Sequence, residues 1–197
     1  IGSNTVTVID GASNSSLTPA LSVGTSPSAA AVNPVTNKIY VASQTANTVS
    51  VIDGATNRTA AAGTGSMPTA VAINPVTNKI YVANQNSGNV TVLNSSTLAL
   101  LTTVTTGSMP TALAVNPVTN RIYVVNQGSH NMTVIEGVTD TAIDTVAVGF
   151  FPVDVAVNPV TDKVYVAALF SGWVRIIDGA TDLHERVQRV ALGRVRP

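Results

Sequence analysis

Asn-Pro-Val-Thr-Asn-Lys-Ile-Tyr-Val-Ala, residues 33–42, returns unchanged at 74–83, as NPVTNRIYVV at 116–125 and as NPVTDKVYVA at 158–167. A self-similar period near 42 residues takes precedence over any local reading, because it fixes the architecture. Two further markers keep the same period. VIDG at Val8 and Val51 becomes VLNS at Val92, VIEG at Val134 and IIDG at Ile176. Gly-x-x-Pro occurs at Gly24/Pro27, Gly65/Pro68, Gly107/Pro110 and Gly149/Pro152. All four tyrosines (Tyr40, Tyr81, Tyr123 and Tyr165) occupy the same position of the unit, so they mark one repeated environment.

Each unit reads as four strands. In the second full unit, the first strand is Thr69 to Ile73 and Asn74–Asn78 is a turn. Proline presets φ for a turn's second position, and Asn tolerates the left-handed region that closes it. Lys79 to Ala83 is almost continuously apolar, as a strand covered on both faces must be. Asn89 to Leu93 alternates with period two, and a fourth strand lies around Leu101 to Thr105. Such a sheet has two apolar faces and cannot bury both alone. Stacking copies about an axis solves this, which predicts an all-β fold of four-stranded antiparallel blades, a β-propeller.

The NPVTNKIYVA runs, each followed by a Val-x-Val-Ile-Asp-Gly-like segment as in Asn33 to Gly54, resemble the YVTN-repeat β-propellers. The resemblance covers essentially the whole chain. It implies a seven-bladed ring of the kind found on archaeal surface-layer proteins and in secreted or periplasmic bacterial proteins. Seven blades at this period need about 290 residues, and the chain has 197. Its register opens at a third strand, Asn4 to Ile9. The expected division is a half blade over 1–23 and full blades over 24–64, 65–106, 107–148 and 149–193, about 4.5 blades and a partial ring. Unpaired blade faces at the two ends predict self-association of the isolated piece.

Composition narrows the function. Charged residues are 10% of the chain, and ten basic side chains balance ten acidic ones. Nucleic acid and anionic membranes select for basic surface, which the totals do not offer, so nucleic acid is disfavoured as a partner. Cysteine is absent, which removes disulfides and thiolate metal sites. No apolar run reaches the length of a membrane-spanning helix. No cofactor or metal is implied.

Candidate site residues are those that break the repeat, and the last full unit breaks it most. Phe150-Phe151 replaces Ser66-Met67 and Ser108-Met109. Phe170 stands where Thr45, Asn86 and Gly128 stand, and Trp173 replaces Thr48, Asn89 and Asn131. All three phenylalanines and the only tryptophan therefore fall between residues 150 and 173. Aromatic side chains carry much of the contact energy at interfaces, so they are candidate ligand-binding residues for a protein or a sugar ring. The alternative is that they fill contacts to neighbouring domains or pack within the blade. Asp154 joins them as the only ionisable residue on the four inner strands. One carboxylate is neither a metal site nor an acid/base pair, and His130 and His184, both read as turn or loop residues, lack ligand spacing. No catalytic residue is assigned.

Other charged positions read as structural. Asp10, Asp53 and Asp178 are expected to cap turns rather than bind Ca²⁺. Lys38, Lys79, Arg121 and Lys163, one per blade, are expected to solubilise strand ends rather than to contact phosphates. The sequons at Asn57 and Asn131 would permit glycosylation, and residues 186–196 form the only locally basic stretch. With the resemblance, which implies an extracellular, cell-surface or periplasmic setting, these features predict a non-catalytic scaffold that contacts protein or polysaccharide. The alternatives are a periplasmic propeller binding nucleic acid or a small ligand at the channel mouth, and a lactonase- or lyase-like enzyme with ligands on further blades.

Overall fold

The computed structural model describes residues 3–16, 19–181 and 184–188, the last segment as backbone. Two short strands open the chain, β1 (Thr5–Val6) and β2 (Leu21–Ser22), paired antiparallel. Four four-stranded antiparallel sheets follow. Blade I comprises β3 (Pro27–Asn33), β4 (Lys38–Ser43), β5 (Thr48–Asp53) and β6 (Thr59–Gly63); blade II comprises β7 (Pro68–Asn74), β8 (Lys79–Asn84), β9 (Asn89–Asn94) and β10 (Leu100–Thr105). Blade III is β11 (Pro110–Asn116), β12 (Arg121–Asn126), β13 (Asn131–Glu136) and β14 (Thr141–Ala147). Blade IV is β15 (Pro152–Asn158), β16 (Lys163–Ala168), β17 (Trp173–Asp178) and β18 (His184–Gln188). His184 thus begins a strand, where the sequence suggested a turn. Gly193 and most of the basic tail lie outside the described residues.

Strand order within each sheet follows chain order, and no crossover interrupts it. The first strands of successive sheets lie against one another, whereas the fourth strands make few contacts with their counterparts. That convergence at one edge is the radial packing of propeller blades. One apolar layer fills each junction. Tyr123, Val125, Met132 and Val134 of blade III meet Val155, Val164, Val166 and Ile177 of blade IV. Tyr40, Ala42 and Val49 meet Val71, Ile80, Val82 and Leu93 at the first junction, and Tyr81, Val90 and Val92 meet Ile122, Val124 and Ile135 at the second.

The repeated motifs earn their places through paired hydrogen bonds. Asn74 Oδ1 accepts from the Val76 and Thr77 amides, closing its own turn, while its Nδ2 donates to Asn120 Oδ1 of the next blade. Asn116 repeats this, capping Val118 and donating to Asp162 Oδ1 at 2.7 Å. The turn's last residue adopts positive φ in all four copies: Asn37, Asn78, Asn120 and Asp162. Its carbonyl accepts from the amide of Gly54, Ser95, Gly137 or Gly179 in the same blade, tying the first hairpin to the second. A Cβ at Gly54 would lie 2.4 Å from Asn37 Oδ1. Only blade II carries a side chain there, and Ser95 Oγ turns the clash into a hydrogen bond to Asn78 Oδ1.

Asp53 Oδ1 accepts from the Ala55 and Thr56 amides and from Thr56 Oγ1, and Asp10 and Asp178 do the same in their turns. These donors hold all three carboxyls below their ordinary pKa, the amide of Thr56, Ser13 or Thr181 contributing most. Lys79 does not stay at an exposed strand end. Its Nζ crosses the blade junction to Asp140 Oδ2 at 2.7 Å and to the Gly137 carbonyl at 2.8 Å.

Candidate functional site at the loop end of the blades

In an up-and-down sheet the first and third hairpins share one end. The connections between the second and third strands, and those that enter the next blade, share the other. At this loop end each Gly-x-x-Pro segment folds over the second-to-third connection of its own blade: the amides of Gln44, Gln85, Gln127 and Leu169 donate to the carbonyls of Ser26, Met67, Met109 and Phe151. Those four residues precede proline and sit at φ of 58°, 58°, 55° and 60°. The left-handed region costs a non-glycine residue about 1–2 kcal/mol, so it persists only where surrounding bonds dictate it. A second bond does so from the preceding blade. Asn4 Oδ1 accepts from Ser26 N, Asn47 Oδ1 from Met67 N at 2.9 Å, and His130 Nδ1 from Phe151 N at 3.2 Å.

This geometry gathers the phenylalanines. Phe150 N donates to Ser171 Oγ at 2.8 Å, which fastens its loop to the 3₁₀ turn Leu169–Ser171. The Phe150 ring packs against His130 with centroids 5.1 Å apart, and Phe151 packs against Phe170 at 4.9 Å. Phe150 is 65% exposed and Phe170 73% exposed, with Leu169 and Met109 also presented to solvent. Each exposed ring therefore has a second ring behind it. His130 was not among the residues the sequence singled out for binding. Its position matches Asn4 and Asn47 in the other copies, and that alignment was the available signal.

Trp173 takes a different role. In blade III, Asn126 Nδ2 donates to Asn131 Oδ1 and Thr133 Oγ1 as a buried polar bridge; Asn84, Asn89 and Thr91 repeat it in blade II. Blade IV replaces that trio with Ala168, Trp173 and Arg175. The indole fills the space beneath the Gly149 loop, where a Cβ would lie 3.0 Å from Trp173 Nε1, and the Arg175 guanidinium stacks 5.7 Å from its ring. Trp173 also walls a largely apolar cavity of 230 Å³ with Val153, Ala167 and Leu169. Asp154 joins none of this. It lies exposed on β15, with Oδ1 accepting from the Val155 amide. Asn131 of the second sequon lies on β13, its Oδ1 accepting from Asn126 and Ser129.

Among the described residues no three His, Cys, Asp or Glu side chains group closely enough to hold a metal. Among the described residues no helix is long and apolar enough to cross a membrane.

No protein-family model and no curated protein matches this chain. Solved structures do match, and they are β-propellers. Dihydro-heme d1 dehydrogenase NirN superposes with a TM-score of 0.81 at 16% identity, over 96% of this chain and 42% of that one. A functionally unknown protein from Desulfotomaculum acetoxidans gives 0.79 at 14% identity, over 94% and 62%. Hydrazine synthase from Kuenenia stuttgartiensis gives 0.76 at 20% identity, over 83% and 49%. The chain thus spans less than two thirds of each of these structures. At such identities the likeness establishes the fold: the chain is a partial β-propeller.

Proposed function

We propose that this chain is a non-catalytic binding module of the YVTN-repeat kind, extracellular, cell-surface or periplasmic, whose loop end forms a rigid contact surface for protein or carbohydrate. The observation that carries the reading is a pair of aromatic contacts, Phe150 on His130 and Phe151 on Phe170, at the loop end of blades III and IV, with Phe150 and Phe170 exposed. Surface apolar groups are usually scattered; rings backed by rings and fixed by strained backbone are preorganised for contact.

Paired glycan and peptide arrays test this. Wild-type chain is expected to bind, with signals falling about tenfold or more in Phe150→Ala/Phe170→Ala, the loss typical of an interface hot spot. Arg58→Ala, at the opposite end, is expected to change nothing. Binding that ignores the phenylalanines but needs Arg58, or turnover of lactone or ester substrates by the purified chain, would overturn the proposal.

The same reading includes self-association of the isolated chain. Ala30 and Val32 are exposed on blade I, whereas Val71 and Val155, at the position of Ala30 in blades II and IV, are buried; Tyr165 is half-buried where the other three tyrosines are fully buried. Light scattering is expected to report a mass above the 20.1 kDa of one chain, rising with concentration; a constant monomer mass would refute it.

A further inference from the structure

We propose that the ligand of the loop end is an uncharged, hydroxyl-rich carbohydrate polymer. This rests on the binding role proposed above and narrows it to one chemistry. The observation behind it is how charge divides between the two ends of the blades. The Gly-x-x-Pro segments (24–27, 65–68, 107–110 and 149–152) and the second-to-third connections (44–47, 85–88, 127–130 and 169–172) contain no Asp, Glu, Lys or Arg. His130 is their one titratable side chain. Lys38, Asp53, Arg58, Lys79, Glu136 and Asp140 all lie in or beside the turns at the opposite end.

The cation nearest these segments, Arg175, is engaged with the Trp173 ring and the Ala147 carbonyl, so they offer little to phosphates, whose neutralisation dominates nucleic-acid affinity. Protein partners are normally steered and registered by complementary charge around an apolar core. This end has no charged side chain in its loop segments. What it supplies is neutral: exposed Thr45, Asn47, Ser66, Asn86 and Ser108, with the aromatic patch at one side. A cleft of 280 Å³ lined by Gln44, Thr45, Asn47, Ser66, Met67 and Asn86 lies at the junction of blades I and II. The equivalent positions at the junction of blades III and IV are Gln127, His130, Phe150 and Phe170. Sugars match both chemistries. The C–H face of a pyranose carries partial positive charge and stacks on the negative face of an aromatic ring, while its hydroxyls exchange hydrogen bonds with amides and hydroxyls. Phe150 and Phe170 are held in place before any ligand arrives, so stacking on them forfeits little side-chain entropy.

Affinity electrophoresis through native gels containing a neutral β-glucan, mannan or galactan, or anionic alginate or dextran sulfate, decides the matter. Retardation by at least one neutral polymer is expected, unaffected by added salt. Affinity is expected to fall about tenfold or more in Phe150→Ala/Phe170→Ala and to survive in Phe150→Tyr/Phe170→Tyr, which keeps the rings. Both variants alter exposed side chains, and unchanged thermal unfolding will confirm that they fold. Retention only by the anionic polymers, abolished by salt, would overturn the inference, as would no retention at all. Peptide-array binding that depends on the two phenylalanines would leave the binding role standing and remove carbohydrate as the ligand.

Discussion

Truncating Tyr81 to alanine is expected to lower stability by about 3–5 kcal/mol, the cost of emptying a large buried aromatic site. Tyr81 is fully buried between blades II and III, and its hydroxyl donates to Asp140 Oδ1 at 2.9 Å. Burial is the main reason its phenol ionises well above the usual range. Removing only the hydroxyl separates packing from hydrogen bonding, and the repeat supplies an internal control. Tyr40 donates to the Ser95 carbonyl at 2.9 Å. Bonds to ionised acceptors exceed bonds to neutral ones. The Tyr→Phe cost should therefore be larger at Tyr81, about 2 kcal/mol, than at Tyr40, about 1 kcal/mol. For a chain of this size each kcal/mol shifts Tm by about 2–4 °C, so calorimetry resolves the series. Equal shifts at Tyr81 and Tyr40 would contradict the inter-blade account.

Asp140→Ala is expected to cost about 3–5 kcal/mol, because it strips the partner from a largely buried charge. The Lys79 and Asp140 side chains are 16% and 9% exposed, and their ion pair spans 2.7 Å between blades II and III. Asp140 also sits at φ 54°, where alanine adds strain. Asp140→Asn keeps the left-handed backbone and an acceptor for Tyr81 and should lose about half as much. In a double-mutant cycle Tyr81→Phe and Asp140→Ala should cost less together than their sum, since both break one bond. Urea unfolding measures all three; strict additivity would show that the two groups do not interact. At the next junction Arg121 and Tyr123 both reach the Gly179 carbonyl.

Much of this was legible before any coordinates. Asn74 caps its turn from two residues away, and the alternation of Asn89 to Leu93 needs only neighbours on one strand. Such local relations are written in spacing, so the four strands per unit and their stacking into blades followed from the period. The division of charge between the two ends was also present in the sequence, but it becomes visible only when antiparallel order assigns every second connection to the same end.

Relations across a blade junction were another matter. Nothing in the Asn-Pro-Val-Thr-Asn motif says that Asn74 Nδ2 reaches Asn120, or that Lys79 leaves its strand end for Asp140. The aromatic residues of blade IV looked like one group. Tertiary structure sorted them, gathering the three phenylalanines with His130 at the surface while Trp173 replaced a buried polar trio. The sequence determined the repeat, the turns and the sheet because their bonds close within one blade. Stacking decided which side chains meet, because that depends on the angle and separation between sheets some 40 residues apart, and no local pattern encodes either.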